Sequence, residues 1–316
     1  MIEVENLTRY FGNVTAIEDV TFTVERGEIL GFLGPNAAGK TTTMRILTCF
    51  LPASKGTARI ANFDVFQAPL EVKQRIGYLP ENPPLYDEMT VYSYLDFIAK
   101  IKGIETRQRK QKINAAIEKA NLDDTIGTIV KHLSKGYKQR LGIAQAIIHE
   151  PEVLVLDEPT IGLDPKQIIE VRELIKSFAG KHTVILSTHI LPEVSMTCQR
   201  VVIIDNGRVV AQDRPENLVA KLKGSEQITV VVGGPESQVH SCLSQIEGVT
   251  QVSVVQKAAN DKITYSVASS IQVDVTKELA KAIVTNGWDL YELKKAEISL
   301  EEIFLRLTTQ EKEVYN

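Results

Sequence analysis

Cysteine is scarce in this chain: there are three in 316 residues, Cys49, Cys198 and Cys242. They are far apart, odd in number and without a CxxC spacing, which excludes a disulfide framework and a cysteine-built zinc site and fits a reducing compartment. Also missing is any apolar run near the roughly 18 residues of a spanning helix. The opening MIEVENL has neither the basic nor the apolar region of a signal peptide, so the chain is expected in the cytosol. Positive charge is not in excess: 36 Lys and Arg face 40 Asp and Glu, a net charge of -4, and nucleic acid is not an expected partner. What is present is ordinary globular usage, 43% hydrophobic and 24% charged, in a length that fits about two domains.

The charge is unevenly placed. Residues 226–316 hold 8 basic and 13 acidic side chains, leaving 28 and 27 for residues 1–225. Near the N-terminus Ile2 and Val4 alternate with acidic residues, and Val20, Phe22 and Val24 with threonines, the period of half-buried strands. The continuous runs ILGFLG (29–34), VLVLD (153–157), TVILST (183–188) and VVIID (201–205) read as strands buried on both faces, separated by helix-period segments such as 165–179. That alternation predicts an α/β sheet with crossover helices. Between residues 82 and 140, Tyr94, Phe97, Ile98 and Ile101 fall at helical spacing, and Ile113, Ile117 and Leu122 follow, a helical insertion. A composition shift at 223–225 separates a first domain, 1–223, from a second, 224–316, whose βαββαβ order predicts a small α+β, ferredoxin-like domain.

Residues 34–41, GPNAAGKT, match G-x-x-x-x-G-K-[ST] directly after a buried strand and before a helix-forming TTTMRIL. Gly34, Pro35, Asn36, Ala37, Ala38 and Gly39 form the loop whose backbone N–H groups, missing only at Pro35, would cradle phosphates. Lys40 would add a point charge, the Thr41 hydroxyl would ligate magnesium, and Thr42 continues into the helix whose positive end faces the anion. Hydrolysis of a triphosphate also needs a magnesium-side carboxylate and a group that activates water. VLVLDE supplies both: Asp157 for the metal shell and Glu158 as general base. His189, after TVILST, is placed either to bond the γ-phosphate or to orient Glu158.

Taken in order, GPNAAGKT, LSKGYKQR (133–140), VLVLDEPT (153–160), GLD (162–164) and the histidine of STH resemble an ABC-type ATPase over about residues 1–220. The resemblance implies a fold: an α/β cassette with a mixed sheet core, an antiparallel β subdomain and a helical subdomain at about 82–140. It further implies that ATP and Mg2+ are the cofactors and that Ser134 and Gly136 bind the γ-phosphate of ATP held by a second cassette, in a head-to-tail homodimeric pair. Asp164 would cross that interface, and Phe11, with Tyr10 as the neighbouring candidate, would stack on adenine. Three departures stand out. Ala37 replaces a glycine, Lys135 and Tyr137 replace a glycine and a glutamine of the signature, and Glu81 in GYLPE stands where a glutamine is usual, leaving it as a candidate magnesium or water ligand.

LSKGYKQR, YLPE before PPLYDEMTV and the C-terminal SLEEIFLRLT resemble the subgroup of drug, sodium and gliding-motility export ATPases. This implies separate membrane-spanning permease subunits, an ATPase peripheral on the cytoplasmic face of the cell membrane, and docking of about 81–92 onto a cytoplasmic helix of the permease. The alternative is a soluble mechanochemical ATPase acting on nucleic acid or ribosomes; the single cassette, the absence of a heptad insertion and the acidic tail disfavour it. The basic run 100–112 reads first as a solvated helix face and second as an attraction to anionic lipid.

Overall fold

The uninterrupted apolar runs lie at the centre of a six-stranded sheet. In the computed structural model, which describes residues 1–222, 226–257, 262–269 and 274–296, the chain divides by its contacts into two units, Met1–Pro215 and Glu216–Asn316. The first unit runs β1 (Ile2–Phe11), β2 (Val14–Val24), β3 (Ile29–Leu33), α1 (Lys40–Leu47), β4 (Lys55–Ile60), β5 (Phe63–Asp64), α2 (Pro69–Arg75) and β6 (Ile76–Leu79). It continues through α3 (Val91–Ile101), α4 (Thr106–Lys119), α5 (Lys135–Ile147), β7 (Val153–Asp157), α6 (Pro165–Lys176), β8 (Thr183–Thr188), α7 (Leu191–Thr197), β9 (Arg200–Asp205) and β10 (Arg208–Asp213).

The six-stranded order is β10-β9-β3-β8-β7-β6. Its four inner pairings are parallel, and only the β9–β10 hairpin is antiparallel. Every residue of β3, β7 and β8 is buried, as strands covered on both faces require. Register then decides where the chemistry sits. Leu33 pairs with Thr188, Asp157 with Ser187 and Leu79 with Leu156, so β3, β6, β7 and β8 finish along one edge. The residues that follow these strands, Gly34, Glu81, Glu158 and His189, are delivered to the crevice outside the carboxyl ends, where open parallel sheets bind ligands.

The period-two opening segments form the antiparallel sheet β2-β1-β4-β5. Its inward residues, among them Ile2, Val4, Val20 and Phe22, share one core with Phe32, Met44 and Ile204. Helices α3, α4 and α5 make up the helical insertion, with α5 running past residue 140 to Ile147. Helix α3 begins on Thr90, whose side chain accepts the Ser93 N–H. It buries Tyr94 fully, while Ile101, at the same helical spacing, stays 64% exposed.

After α8 (Pro215–Leu222), the second unit runs β11 (Glu226–Gly233), α9 (Glu236–Ser244), β12 (Val249–Lys257), β13 (Lys262–Ser269), α10 (Thr276–Thr285) and β14 (Asp289–Ala296). This is the βαββαβ order read from the pattern. Its strands form an antiparallel sheet β12-β13-β11-β14. Val239 and Leu243, read as core from their spacing, pack with Ile228, Val230, Tyr265 and Leu279. The expected domain junction at 223–225 and the segment SLEEIFLRLT, expected to end the chain's second domain in a helix, lie outside the described residues.

Candidate functional site

The loop between β3 and α1 has the tight backbone that its glycines permit. Gly39 has φ +105, and a Cβ there would stand 2.5 Å from Ile17 Cγ2 and 2.8 Å from the Ala16 carbonyl. Ala37, the departure from glycine, also sits in the left-handed region at φ +66, a conformation that costs an L residue about 1–2 kcal/mol. The loop therefore keeps its shape despite the substitution. The Lys40 ammonium is 6% exposed; it donates to the carbonyls of Gly34 at 2.8 Å and Pro35 at 3.0 Å and lies 3.3 Å from Glu158 Oε1.

Glu158 is 5% exposed and itself left-handed, φ +51, its N–H donating to the Ser187 carbonyl at 2.9 Å. Non-glycine residues are held in such conformations at a cost of about 1–3 kcal/mol and cluster at functional sites. Its second oxygen, Oε2, lies 2.9 Å from His189 Nδ1. Of the two roles open to His189, this distance supports orientation of Glu158. Lys40, Glu158 and His189 thus form one connected array, a cation on one carboxylate oxygen and an imidazole on the other.

Asp157 is fully buried, and neither of its carboxylate oxygens has a hydrogen-bond partner. Desolvation pushes its pKa up. The nearby Ser187 and Thr41 hydroxyls and Lys40 favour the charged form, while the charge of Glu81 opposes it. An orphaned buried carboxylate is costly; a divalent cation at its oxygens would remove that cost. Among the described residues no group of three or more His, Cys, Asp or Glu forms a metal cage. The donor set instead fits magnesium held by one carboxylate and one hydroxyl with phosphate oxygens and water completing the shell. Thr41 and Asp157 would be those donors, and Glu81 is close enough to Asp157 to influence its charge.

A second cluster lies at the starts of α5 and α6. Ser134 caps α5 and accepts the Tyr137 N–H at 3.4 Å. Asp164 caps α6, accepting the Gln167 N–H at 2.9 Å while Gln167 Oε1 accepts the Asp164 N–H at 3.4 Å. The Gln167 carboxamide packs on Gly136, leaving no room there for a Cβ, and an Arg140–Glu170 ion pair joins the two helices. Tyr137, the other departure, donates its hydroxyl to Asp124 at 2.6 Å. Phe11 ends β1 with 45% of its surface exposed and the Arg9 guanidinium 4.7 Å from its ring centroid.

The basic run at 100–112 is largely engaged within the chain. Lys100 and Arg109 pair with Asp96, Lys112 pairs with Glu150, and Lys102 donates to the carbonyls of Lys73 and Ile76. Pattern reading missed Glu193 of α7, which is 3% exposed and accepts hydrogen bonds from Thr160 and Thr188. The available signal was a carboxylate set between Leu191 and Val194 in a helix one turn past His189.

Comparison with known proteins follows the same lines. A family model described as ABC transporter matches residues 17–161. The linearmycin resistance ATP-binding protein LnrL of Bacillus subtilis is 31% identical, with 98% of each chain covered. The bacitracin transport ATP-binding protein BcrA of Bacillus licheniformis is 32% identical, with 97% of each covered. A solved structure of an ATP binding subunit of an ABC transporter is 31% identical and superposes with a TM-score of 0.65, covering 70% of this chain and 92% of that one.

Proposed function

Because the chain belongs to the ATP-binding subunits of ABC transporters, which couple ATP hydrolysis to transport, we propose that it drives an exporter from the cytoplasmic face of the cell membrane. Relatives named for linearmycin resistance and bacitracin transport support this over their whole length. The connected Lys40–Glu158–His189 array beside the orphaned Asp157 carries the chemical part of the reading.

In this mechanism the backbone N–H groups of the loop 34–41, Pro35 having none, and the N-terminus of α1 hold the ATP phosphates. Lys40 exchanges its contacts with Gly34 and Pro35 for phosphate oxygens. Thr41 and Asp157, with Glu81 nearby, would hold magnesium, which would supply positive charge against the negative charge developing on the phosphates. Glu158 accepts a proton from the attacking water, and His189 fixes the carboxylate through Oε2. Ser134 and Gly136 of a second cassette close over the γ-phosphate, with Asp164 at the junction and Phe11 stacked on adenine. Two identical chains, each with the second unit as an accessory domain, form the working pair.

The separate permease docks on residues 81–92. A cavity of about 820 Å³ opens at β6, the strand leading into that segment, and its rim carries the exposed side chains of Leu70 and Ile101. The test is Glu158→Gln. The variant should bind ATP and form ATP-dependent dimers in size-exclusion chromatography with light scattering, while phosphate release falls about 10²- to 10⁴-fold. Turnover at the wild-type rate would remove Glu158 as the base, and a monomer at saturating ATP would remove the paired arrangement.

A further inference from the structure

Glu193 is a buried carboxylate near the hydrolytic array that the mechanism above leaves without a task. It is 3% exposed, and no Lys, Arg or His within the described residues forms an ion pair with it. Its partners are two hydroxyls. Thr160 Oγ1 donates to Oε1, and Thr188 Oγ1 donates to Oε2 at 2.8 Å. Both threonines are themselves buried, at 4% and 0% exposure, so each has its hydroxyl committed to this carboxylate.

The places of the two threonines in the chain give the arrangement its meaning. Thr160 lies two residues beyond Glu158, in the turn closed by Ile161 N–H to the Glu158 carbonyl and Leu163 N–H to the Thr160 carbonyl. Thr188 immediately precedes His189; its hydroxyl accepts the Ile190 N–H at 3.0 Å, and its carbonyl accepts the Gly34 N–H at 3.4 Å. One carboxylate therefore grips the backbone on both sides of the Glu158–His189 contact, 33 residues apart on one side and 5 on the other. A buried charge without a cation partner is expensive. Its two strong acceptor oxygens do what a single neutral acceptor would do less firmly, since hydrogen bonds to a charged acceptor are roughly twice as strong as neutral ones.

We infer that Glu193 is a positioning residue for hydrolysis: its carboxylate, through Thr160 and Thr188, sets the distance and orientation between Glu158 and His189. The inference rests on the reading of Glu158 and His189 as the hydrolytic pair. Glu193 is buried with both oxygens taken up by the two threonine hydroxyls, so its effect belongs in kcat and not in ATP binding.

The experiment is a double-mutant cycle on purified full-length protein, reading phosphate release against ATP concentration. Glu193→Ala should lower kcat about 10- to 100-fold, the scale of a small misplacement of reacting groups, with the KM for ATP changed by less than about twofold. Glu193→Gln, which keeps an acceptor for Thr160 and offers a donor to Thr188, should recover most of that loss. In a His189→Ala background the Glu193→Ala change should cost less than about twofold, because the contact it positions is gone. An equal fold-loss in both backgrounds would make Glu193 a staple of the fold and overturn the inference, as would an unchanged kcat. Wild-type turnover of His189→Ala itself would instead overturn the reading of the pair. If Glu193→Ala is recovered only as aggregate, Thr188→Val, which keeps shape and removes one grip, is put through the same cycle and decides on the same terms.

Discussion

Replacing Asp157 with asparagine should make the nucleotide-free protein more stable while removing its stabilisation by magnesium. Both carboxylate oxygens are buried and without a partner, and the effective penalty for such a charge in a protein is several kcal/mol. The neighbouring Ser187 and Thr41 hydroxyls and Lys40 offset part of it, so Asp157→Asn should gain about 2 kcal/mol, or about 4–8 °C in Tm for a unit of this size. Desolvation raises the folded-state pKa of Asp157 above the unfolded value. The penalty is therefore absent in acid, appears as pH rises past the ordinary carboxylate range, and is complete above the folded pKa. The gain should accordingly shrink as pH falls through that window. With magnesium and ADP at about 100 times their dissociation constant, wild-type protein should gain about 2.7 kcal/mol, and the variant should gain much less. Differential scanning calorimetry without nucleotide, then with magnesium and ADP, measures both terms. A nucleotide-free Asp157→Asn protein that melts at or below the wild-type temperature would refute the reasoning.

Two further outcomes concern the body of the first unit. A Cβ on Gly77 of β6 would run into the backbone carbonyl of Ala146 in α5, so Gly77→Ala should cost about 1–3 kcal/mol; an unchanged denaturant midpoint would count against the tight packing of strand on helix. His149 has its pKa pushed down to about 4 by burial and by the nearby Lys102 ammonium, although Nε2 is 3.0 Å from the Ile76 carbonyl. A lowered histidine pKa gives stability that is present above pH 6.5 and lost as pH falls toward the folded value. Wild-type protein should lose about 3 kcal/mol between pH 7 and pH 4 that His149→Gln keeps; parallel pH profiles in urea melts would refute this.

What a sequence shows of a site depends on how its parts are spaced. GPNAAGKT is contiguous, and its backbone conformation is enforced locally, so eight letters suffice to place a phosphate loop. Asp157, Glu158 and His189 are legible because each ends a continuous apolar strand, and a polar residue there has few structural reasons to exist. Glu193 carries no such mark. Its significance lies in Thr160 and Thr188 meeting one carboxylate, a convergence of separate segments that only the packing of α7 against the sheet produces. The basic run reads as a solvated face, with Lys100, Arg107 and Lys110 exposed, but its ion pairs with Asp96 and Glu150 and the Lys102 contacts to backbone carbonyls join distant segments and carry no mark in the sequence.

The sequence by itself determined the strands of the first unit's central sheet, the glycine-rich loop between β3 and α1 and the candidates for the reacting groups, because period, apolar continuity and local turn chemistry act over a few residues. Tertiary structure alone decided which groups meet. Parallel pairing of β3, β6, β7 and β8 in register brings four strand ends to one edge, and pairing register is a property of distant segments. That edge joins Lys40 to Glu158 and Glu158 to His189, and leaves Asp157 buried with two unshared oxygens. Burial, set by the whole fold, separates an acidic pair at a strand end into one carboxylate without a hydrogen-bond partner and one held between Lys40 and His189.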